Sequence, residues 1–345
     1  VQESRRLPED TRMTLIADNE IPDLAEGFLS DRAAPERMNW RGRECLRLSG
    51  ETAALFLLPD LKISRGRIEV EIGAEGTAYP GIVFRAADSL NYELAYAQPH
   101  TSGEWDAIQY DPVFHGTNTW QLYHGERYQK AAVVPTGEWF TLGVEFAGRR
   151  ARIRVGDQPP LHVARLAHPM GAGCVGLWTY KPAYFRNLRV WDDPPDFSAE
   201  TSDAGSSAPG TVSKWFLEGY GVVSAEPGGI VNLSRYLPVS VREARLVRTF
   251  DLPEETDLIL RFGFSDEIDL RMDGGSLFTG TNLWHDLPDW KNRGYVAPDR
   301  SVGVRLSRGT HRLEAAMKAL EYFGFGMILR IEGGRHTLLP AEWTD

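Results

Sequence analysis

The sequence predicts an all-β protein: two β-sandwich or jelly-roll domains joined by a Pro/Ser-rich linker. Three observations carry this reading. Apolar residues recur at a spacing of two in many short segments, long helical periodicity is almost absent, and one mid-chain stretch has almost nothing apolar to bury. A spacing of two puts alternate side chains on opposite faces, so each such segment reads as a strand with one buried and one wet face. Many short strands separated by turns fit a sandwich or jelly roll.

In chain order, "RGRIEVEIG" alternates Ile68, Val70 and Ile72 against Glu69 and Glu71. "YELAYA" sets Tyr92, Leu94 and Tyr96 on one face, and "EWFTLGVEF" does the same with Phe140, Leu142, Val144 and Phe146. "RARIRVGD" ends in a Gly-Asp turn after Ile153 and Val155. Trp139 and Trp178 sit in clean alternation and read as structure. "DDPPDFSAETSDAGSSAPGTV" then breaks the pattern, which divides the chain into a first domain at 1–195, a linker at 196–212 and a second domain at 213–345. There the alternation resumes through Leu258, Leu260, Phe262 and Phe264, then Ile268, Leu270 and Met272 before an Asp-Gly-Gly turn. Val302, Val304 and Leu306, then Met327, Leu329 and Ile331, supply the last strands.

The totals bound the partners. The 345 residues are enough for two cores, with 42% hydrophobic and 25% charged residues in the globular range. A net charge of -10 with no long basic run argues against nucleic acid and anionic membrane as partners. The longest apolar runs, such as "AALFLLPDL", fall short of the roughly 20 residues that span a bilayer. The start at "VQES", without methionine, fits either an exported chain whose leader was removed, secreted or periplasmic, or a trimmed one. Cys45 and Cys174 either form one disulfide across a long loop or remain two buried thiols.

From about Leu46 to Val190, the order "GRIEVEI", "PGIVFRA", "NYELAY", "EWFTLGVEFAGRRARIRV", "GCVGLW" and "YFRNLRV" resembles the concanavalin A-like lectin/glucanase superfamily. Within it, the bacterial branch holding 3-keto-disaccharide hydrolase domains is the most similar. The second domain, on "VNLSRYL", "FGFSDEIDLRMDGGSLFTG" and "RGTHRLEAAM", resembles a galactose-binding-like jelly roll. The resemblance implies an oligo- or polysaccharide partner. The glucanase pattern E-x-D-x-E is missing, which disfavours a standard retaining mechanism.

Tyr92–Tyr128 concentrates eight aromatic rings and three histidines, the mixture of stacking platforms and hydroxyl partners that a sugar site needs. "YELAYA" and "TWQLY" are expected as its walls, with a long loop between them. Trp105, Tyr110, Trp120, Tyr123 and Tyr128 are candidate platforms, although sandwiches also bury such rings as plain core. Asn91, Gln98, Gln109 and Gln121 are candidate hydroxyl partners, with Arg85. His100, on a loop edge after Gln98-Pro99, is the candidate proton-transfer imidazole, with Glu93 or Asp106 as the carboxylate. Glu93 and Arg85 are expected to point together into a concavity, or to form a plain cross-strand pair.

These residues point first to cleavage of a glycosidic bond in an oligo- or polysaccharide by hydrolysis or elimination, with a non-catalytic protein that binds sugar in the same aromatic cleft as the alternative. No metal ligand set or cofactor is indicated in the first domain. In the second, Asp266, Glu267, Asp269 and Asp273 fit either a structural calcium ion or a solvated strand and turn. The loop "GTNLWHDLPDWKNRGY", with Trp284, Trp290 and Tyr295, is expected to close over the first domain's site, to form its own platform or to make an interdomain contact.

Overall fold

A computed structural model describes residues 14–21, 23, 27–30, 33–50, 52–169, 171–198, 205–284 and 293–341. The regular structure of the described residues is nearly all antiparallel strand, in four sheets that pair into two sandwiches. In the first sandwich an eight-stranded sheet runs Leu161–Val163, Arg150–Val155, Trp139–Ala147, Gly66–Gly73, Ala183–Trp191, Arg43–Ser49, Ala34–Trp40, with Leu15–Asn19 paired off Ala183–Trp191. Facing it, a nine-stranded sheet is centred on Asn91–Ala97, Tyr79–Asp88, Gly173–Tyr180 and Ala53–Ile63. The second sandwich stacks a seven-stranded sheet, whose middle is Glu243–Leu252, Gly309–Lys318 and Asp266–Met272, on a four-stranded one.

The expected alternation builds both cores. Ile68, Val70, Ile72, Leu142, Val144 and Phe146 pack against Phe56, Ile82, Phe84, Val175 and Leu177, with the Phe84 and Phe146 rings 4.9 Å apart. In the second sandwich Leu258, Leu260, Phe262 and Phe264 meet Leu246, Phe250, Leu313 and Met317. Turn chemistry closes the hairpins: His115-Gly116 and Asp273-Gly274 are two-residue loops with both residues at positive φ, the geometry that matches strand twist.

Two expectations fail here. "YELAYA" has no wet face, since Tyr92 to Ala97 are all buried. Its outward Tyr92, Leu94 and Tyr96 join Leu55, Leu57, Val83 and Trp178 in a third apolar cluster on the outer surface of the nine-stranded sheet. "TWQLY" is not a strand but an irregular segment. Its backbone docks on the second sandwich, with Gln121 N donating to Phe323 O at 3.1 Å and Val296 N donating to Gln121 O at 2.9 Å. Val296 and Ile328 thereby enter the first sandwich's core cluster.

Cys45 and Cys174 are both free and buried. They lie in different sheets, and each thiol sits near a backbone carbonyl, of Met38 and Pro59 respectively. The expected linker falls partly outside the described residues, at 199–204; by Val212 the chain is already tied to the second sandwich, donating to Leu329 O at 3.0 Å.

Candidate functional site

Glu93 does not reach a cleft. With Tyr92, Leu94 and Tyr96 pointing outward, Glu93 points into the core, where it is 0% exposed. A buried carboxylate must find donors, and Glu93 takes them from the Tyr110 hydroxyl at 2.5 Å and the His168 amide at 3.0 Å. Arg85 is not its partner. A register shift between Phe84 and Asp88, with Arg85 at φ 51°, sends the guanidinium to the carbonyls of Gly148 and Pro169. Both residues therefore serve the scaffold.

Several other candidates also build rather than bind. Asn91 clamps the Asp88–Asn91 turn and accepts the His115 amide. Gln98 donates to Asp106 O at 2.5 Å and so closes the 98–107 loop. Gln109 is a buried hub: its carbonyl accepts from Tyr96 OH at 2.9 Å and from Gln129 at 3.0 Å, and its amide points to Tyr123 O. Tyr110, Tyr123 and Tyr128 form one ring cluster with centroids 5.1–6.0 Å apart. Burial pushes their phenols up, Tyr128 to about 12 and Tyr110 and Tyr123 well above the usual value. Tyr123 donates across the seam to Glu226, which also binds the Arg235 guanidinium.

What the fold brings together lies where the 100–106 loop of the first sandwich meets the 293–296 segment of the second. Trp105 is 46% exposed, with the Arg293 guanidinium 5.2 Å from its ring centre and Tyr295 edge-on at 6.0 Å. Arg293 forms an ion pair with Asp106 through Oδ2. Asp106 is 1% exposed, and its Oδ1 has no hydrogen-bond partner. His100 is exposed and meets Tyr79 edge-on at 4.8 Å; Tyr79 in turn packs on Tyr180. Partial desolvation pulls the exposed His100 imidazole below its ordinary value, helped by the Arg293 charge and opposed by a backbone hydrogen bond at Ala78 and by the Asp106 charge.

A second group of rings continues the rim. Trp120 is half-buried against Phe323 at 5.2 Å, Tyr295 at 5.7 Å and Trp284 at 6.3 Å. Beneath it Gln121 donates to Arg293 O at 3.1 Å and to Glu321 at 3.2 Å, leaving its own buried Oε1 unpartnered. The loop carrying Trp284 and Tyr295 thus meets the first sandwich's candidate site, as one of its sequence readings anticipates; Trp290 lies outside the described residues.

Asp111 is another carboxylate of the Tyr92–Tyr128 stretch. It is fully buried, held by Asn118 Nδ2 at 2.9 Å and Thr119 N at 2.8 Å, and desolvation pushes its carboxyl up to about 7. The four carboxylates of "SDEIDLRMDGG" disperse to separate partners: Asp266 to the Leu320 and Glu321 amides, Glu267 to Lys318, Asp269 to Arg271, Asp273 to His311. Asp266 is moreover fully buried, not solvated. An open groove of about 600 Å3 lies on the outer face of the second sandwich. Its charges are paired across strands, Arg245 with Glu218 and Lys318 with Glu267, as on a solvated face.

No family model and no curated protein matches the chain. Among solved structures it is similar to the carbohydrate-binding module CBM66 from Bacillus subtilis, at 16% identity over 47% of this chain and 93% of that one, with a TM-score of 0.38. It is similar to a beta-glucanase from Bacillus licheniformis at 11% identity over 51% and 97%, TM-score 0.34. A family 16 glycosyl hydrolase protein from Mycobacterium smegmatis aligns at 10% identity over 52% and 100%, TM-score 0.34.

Proposed function

We propose that the protein binds carbohydrate on the seam between its two sandwiches, with the Trp105 ring as the stacking surface and the Asp106–Arg293 pair as the hydroxyl partner. One observation carries this reading. Beside an exposed indole, a carboxylate is pinned by an arginine of the other sandwich and keeps one buried oxygen without a partner. A sugar offers an apolar ring face for the indole and hydroxyl oxygens as acceptors for the part-exposed Arg293 guanidinium, which the buried Asp106 carboxylate holds in place. Binding is favoured over hydrolysis because glycosidic cleavage by the usual route needs two carboxylates flanking the bond, and of the two candidates Glu93 is spent inside the core.

The test is titration of the full chain with a panel of soluble oligosaccharides, followed by tryptophan fluorescence and calorimetry. Trp105→Ala is expected to weaken the best ligand by about tenfold or more, the value of losing one aromatic contact of 1–2 kcal/mol. No saturable binding to any glycan, or equal affinity in Trp105→Ala, overturns the reading.

His100 supports a second, catalytic reading: its lowered pKa leaves a neutral imidazole near Asp106 at pH 7, the state a general base requires. Reducing ends or new double bonds released by the wild type and abolished in His100→Gln would establish it.

A further inference from the structure

Among the described residues, buried cations are matched almost everywhere. Arg85 bonds two carbonyls, and Arg235 holds Glu226, the Ala167 carbonyl and the Phe114 ring. Arg248 is the exception. It stands in Glu243–Leu252, in register with Leu246, Phe250 and Leu252, all of which are core residues at 0–1% exposure. Period two therefore aims a guanidinium into the inside of the second sandwich, at a position that would ordinarily take a leucine. Across the ladder its neighbour is Leu313, itself fully buried. On the other side the pairing of Phe216 with Val247 brings the buried Trp215 alongside, one step further on.

Arg248 is 6% exposed, and neither its Nε nor its Nη1 has a hydrogen-bond partner. The carboxylates of the surrounding strands are turned away or engaged. Asp251 and Glu314 belong to the opposite face of the sheet, and Asp273 is taken by His311 and by the Arg312 amide. Burial lowers the guanidinium from its ordinary value, yet an arginine does not lose its proton in a protein. Two residues along the same face, the Phe250 ring meets His336 at 6.3 Å, and His336 Nδ1 is likewise buried without a partner. Burial holds that imidazole below its usual value as well, so at neutral pH one of its ring nitrogens is a hydrogen-bond donor without adding a second charge. A desolvated cation with idle donors is among the costliest things a fold can contain. Nothing in the described chain offsets it.

We propose that the second sandwich is an anion site: Arg248 holds a small oxyanion, whose oxygens supply the acceptors the chain withholds. The shared chemistry is that of phosphate, sulfate and carboxylate, and it is independent of any sugar bound at the seam.

The test uses the full chain in sodium chloride at constant ionic strength and pH 7, melted in the presence of rising phosphate, sulfate or acetate in separate series. At least one anion is expected to raise the melting temperature saturably, by several degrees at about a hundred times its Kd, and the arms identify which oxyanion fits. In Arg248→Met the saturable rise disappears. Arg248→Lys, which keeps the charge without the planar fork, is expected to need about tenfold more anion for the same rise. Should Arg248→Met fail to fold, the Arg248 Nε resonance of the wild-type protein is followed by nitrogen-15 NMR, where a saturable shift with the same anion supports the site. A melting temperature flat in all three series overturns the proposal. So does an equal rise in Arg248→Met, since that is the general exclusion effect of the salt.

Discussion

Replacing Glu226 by alanine should unfasten the seam. Its carboxylate accepts the Tyr123 hydroxyl at 2.6–2.7 Å, the Arg235 guanidinium and, at 3.3 Å, the Asn232 amide. With Glu226 at 16% and Arg235 at 24% side-chain exposure, the pair is mostly out of water. Removing one partner of a buried pair costs about 3–5 kcal/mol because the other charge is left uncompensated. Arg235 would keep the Ala167 carbonyl at 2.8 Å and the Phe114 ring at 4.4 Å, so the expected loss is smaller, about 2–3 kcal/mol. Urea unfolding of the full chain reads it, each transition fitted separately because a chain with two cores need not unfold in one step. Tyr123→Phe in the same background forms a double-mutant cycle with an expected coupling of about 1–2 kcal/mol. Because Arg293 and Tyr295 come to Trp105 from the second sandwich, the variant should also bind saccharide more weakly. A loss within about 0.5 kcal/mol, the range of surface substitutions, or strict additivity with Tyr123→Phe, would refute the lock.

Glu93→Gln tests the reassignment of that residue to the core: it should cost about 1–3 kcal/mol, by leaving Tyr110 or the His168 amide poorly matched, while saccharide affinity, measured by calorimetry, stays at the wild-type value. For Asp111 the folded carboxyl, at about 7, lies above the ordinary aspartate value of 3.8. Between these values the folded state holds the proton more tightly than the unfolded one, so this group's contribution is full below about pH 4 and is lost as pH rises to about 7. The melting temperature of the wild type minus that of Asp111→Asn should therefore fall across that window, equivalent to a few kcal/mol; a flat difference would show that Asp111 is ionised throughout.

The strands were legible because their signal is local. Ile68, Val70 and Ile72 announce a buried face without knowledge of their neighbours, and the same arithmetic correctly set Glu93 on the face opposite Tyr92 and Tyr96. Alternation cannot say which face is the interior when both are apolar. The outer surface of the nine-stranded sheet carries Leu55, Leu57 and Trp178 from other strands, so the wet side assigned to "YELAYA" was in fact the core side, and Glu93 went with it. The Arg85 placement failed for another local reason: a bulge between Phe84 and Asp88 breaks the period on which the expected pair with Glu93 rested.

The seam illustrates why the site itself was only half legible. Trp105 and Asp106 are adjacent in a loop whose composition drew attention, but nothing near them in the chain says that Asp106 will be buried. That depends on Arg293, 187 residues away. A carboxylate at 1% exposure is tolerable only with a matched cation and donors, so Asp106 and the docking of the two sandwiches support each other. The same pairing leaves Oδ1 idle beside Trp105, which means that the unsatisfied group exists because the sandwiches meet. A stretch rich in rings therefore serves three ends: Tyr92 and Tyr96 cover a sheet, Tyr110, Tyr123 and Tyr128 fill the core behind the seam, and Trp105 and Trp120 remain at its rim. Both of these rim rings stand against residues of the second sandwich, Trp105 against Arg293 and Tyr295, Trp120 against Trp284, Tyr295 and Phe323. Under the proposed function the second sandwich is part of the binding surface itself, so ligand affinity and the strength of the Glu226 lock should rise and fall together.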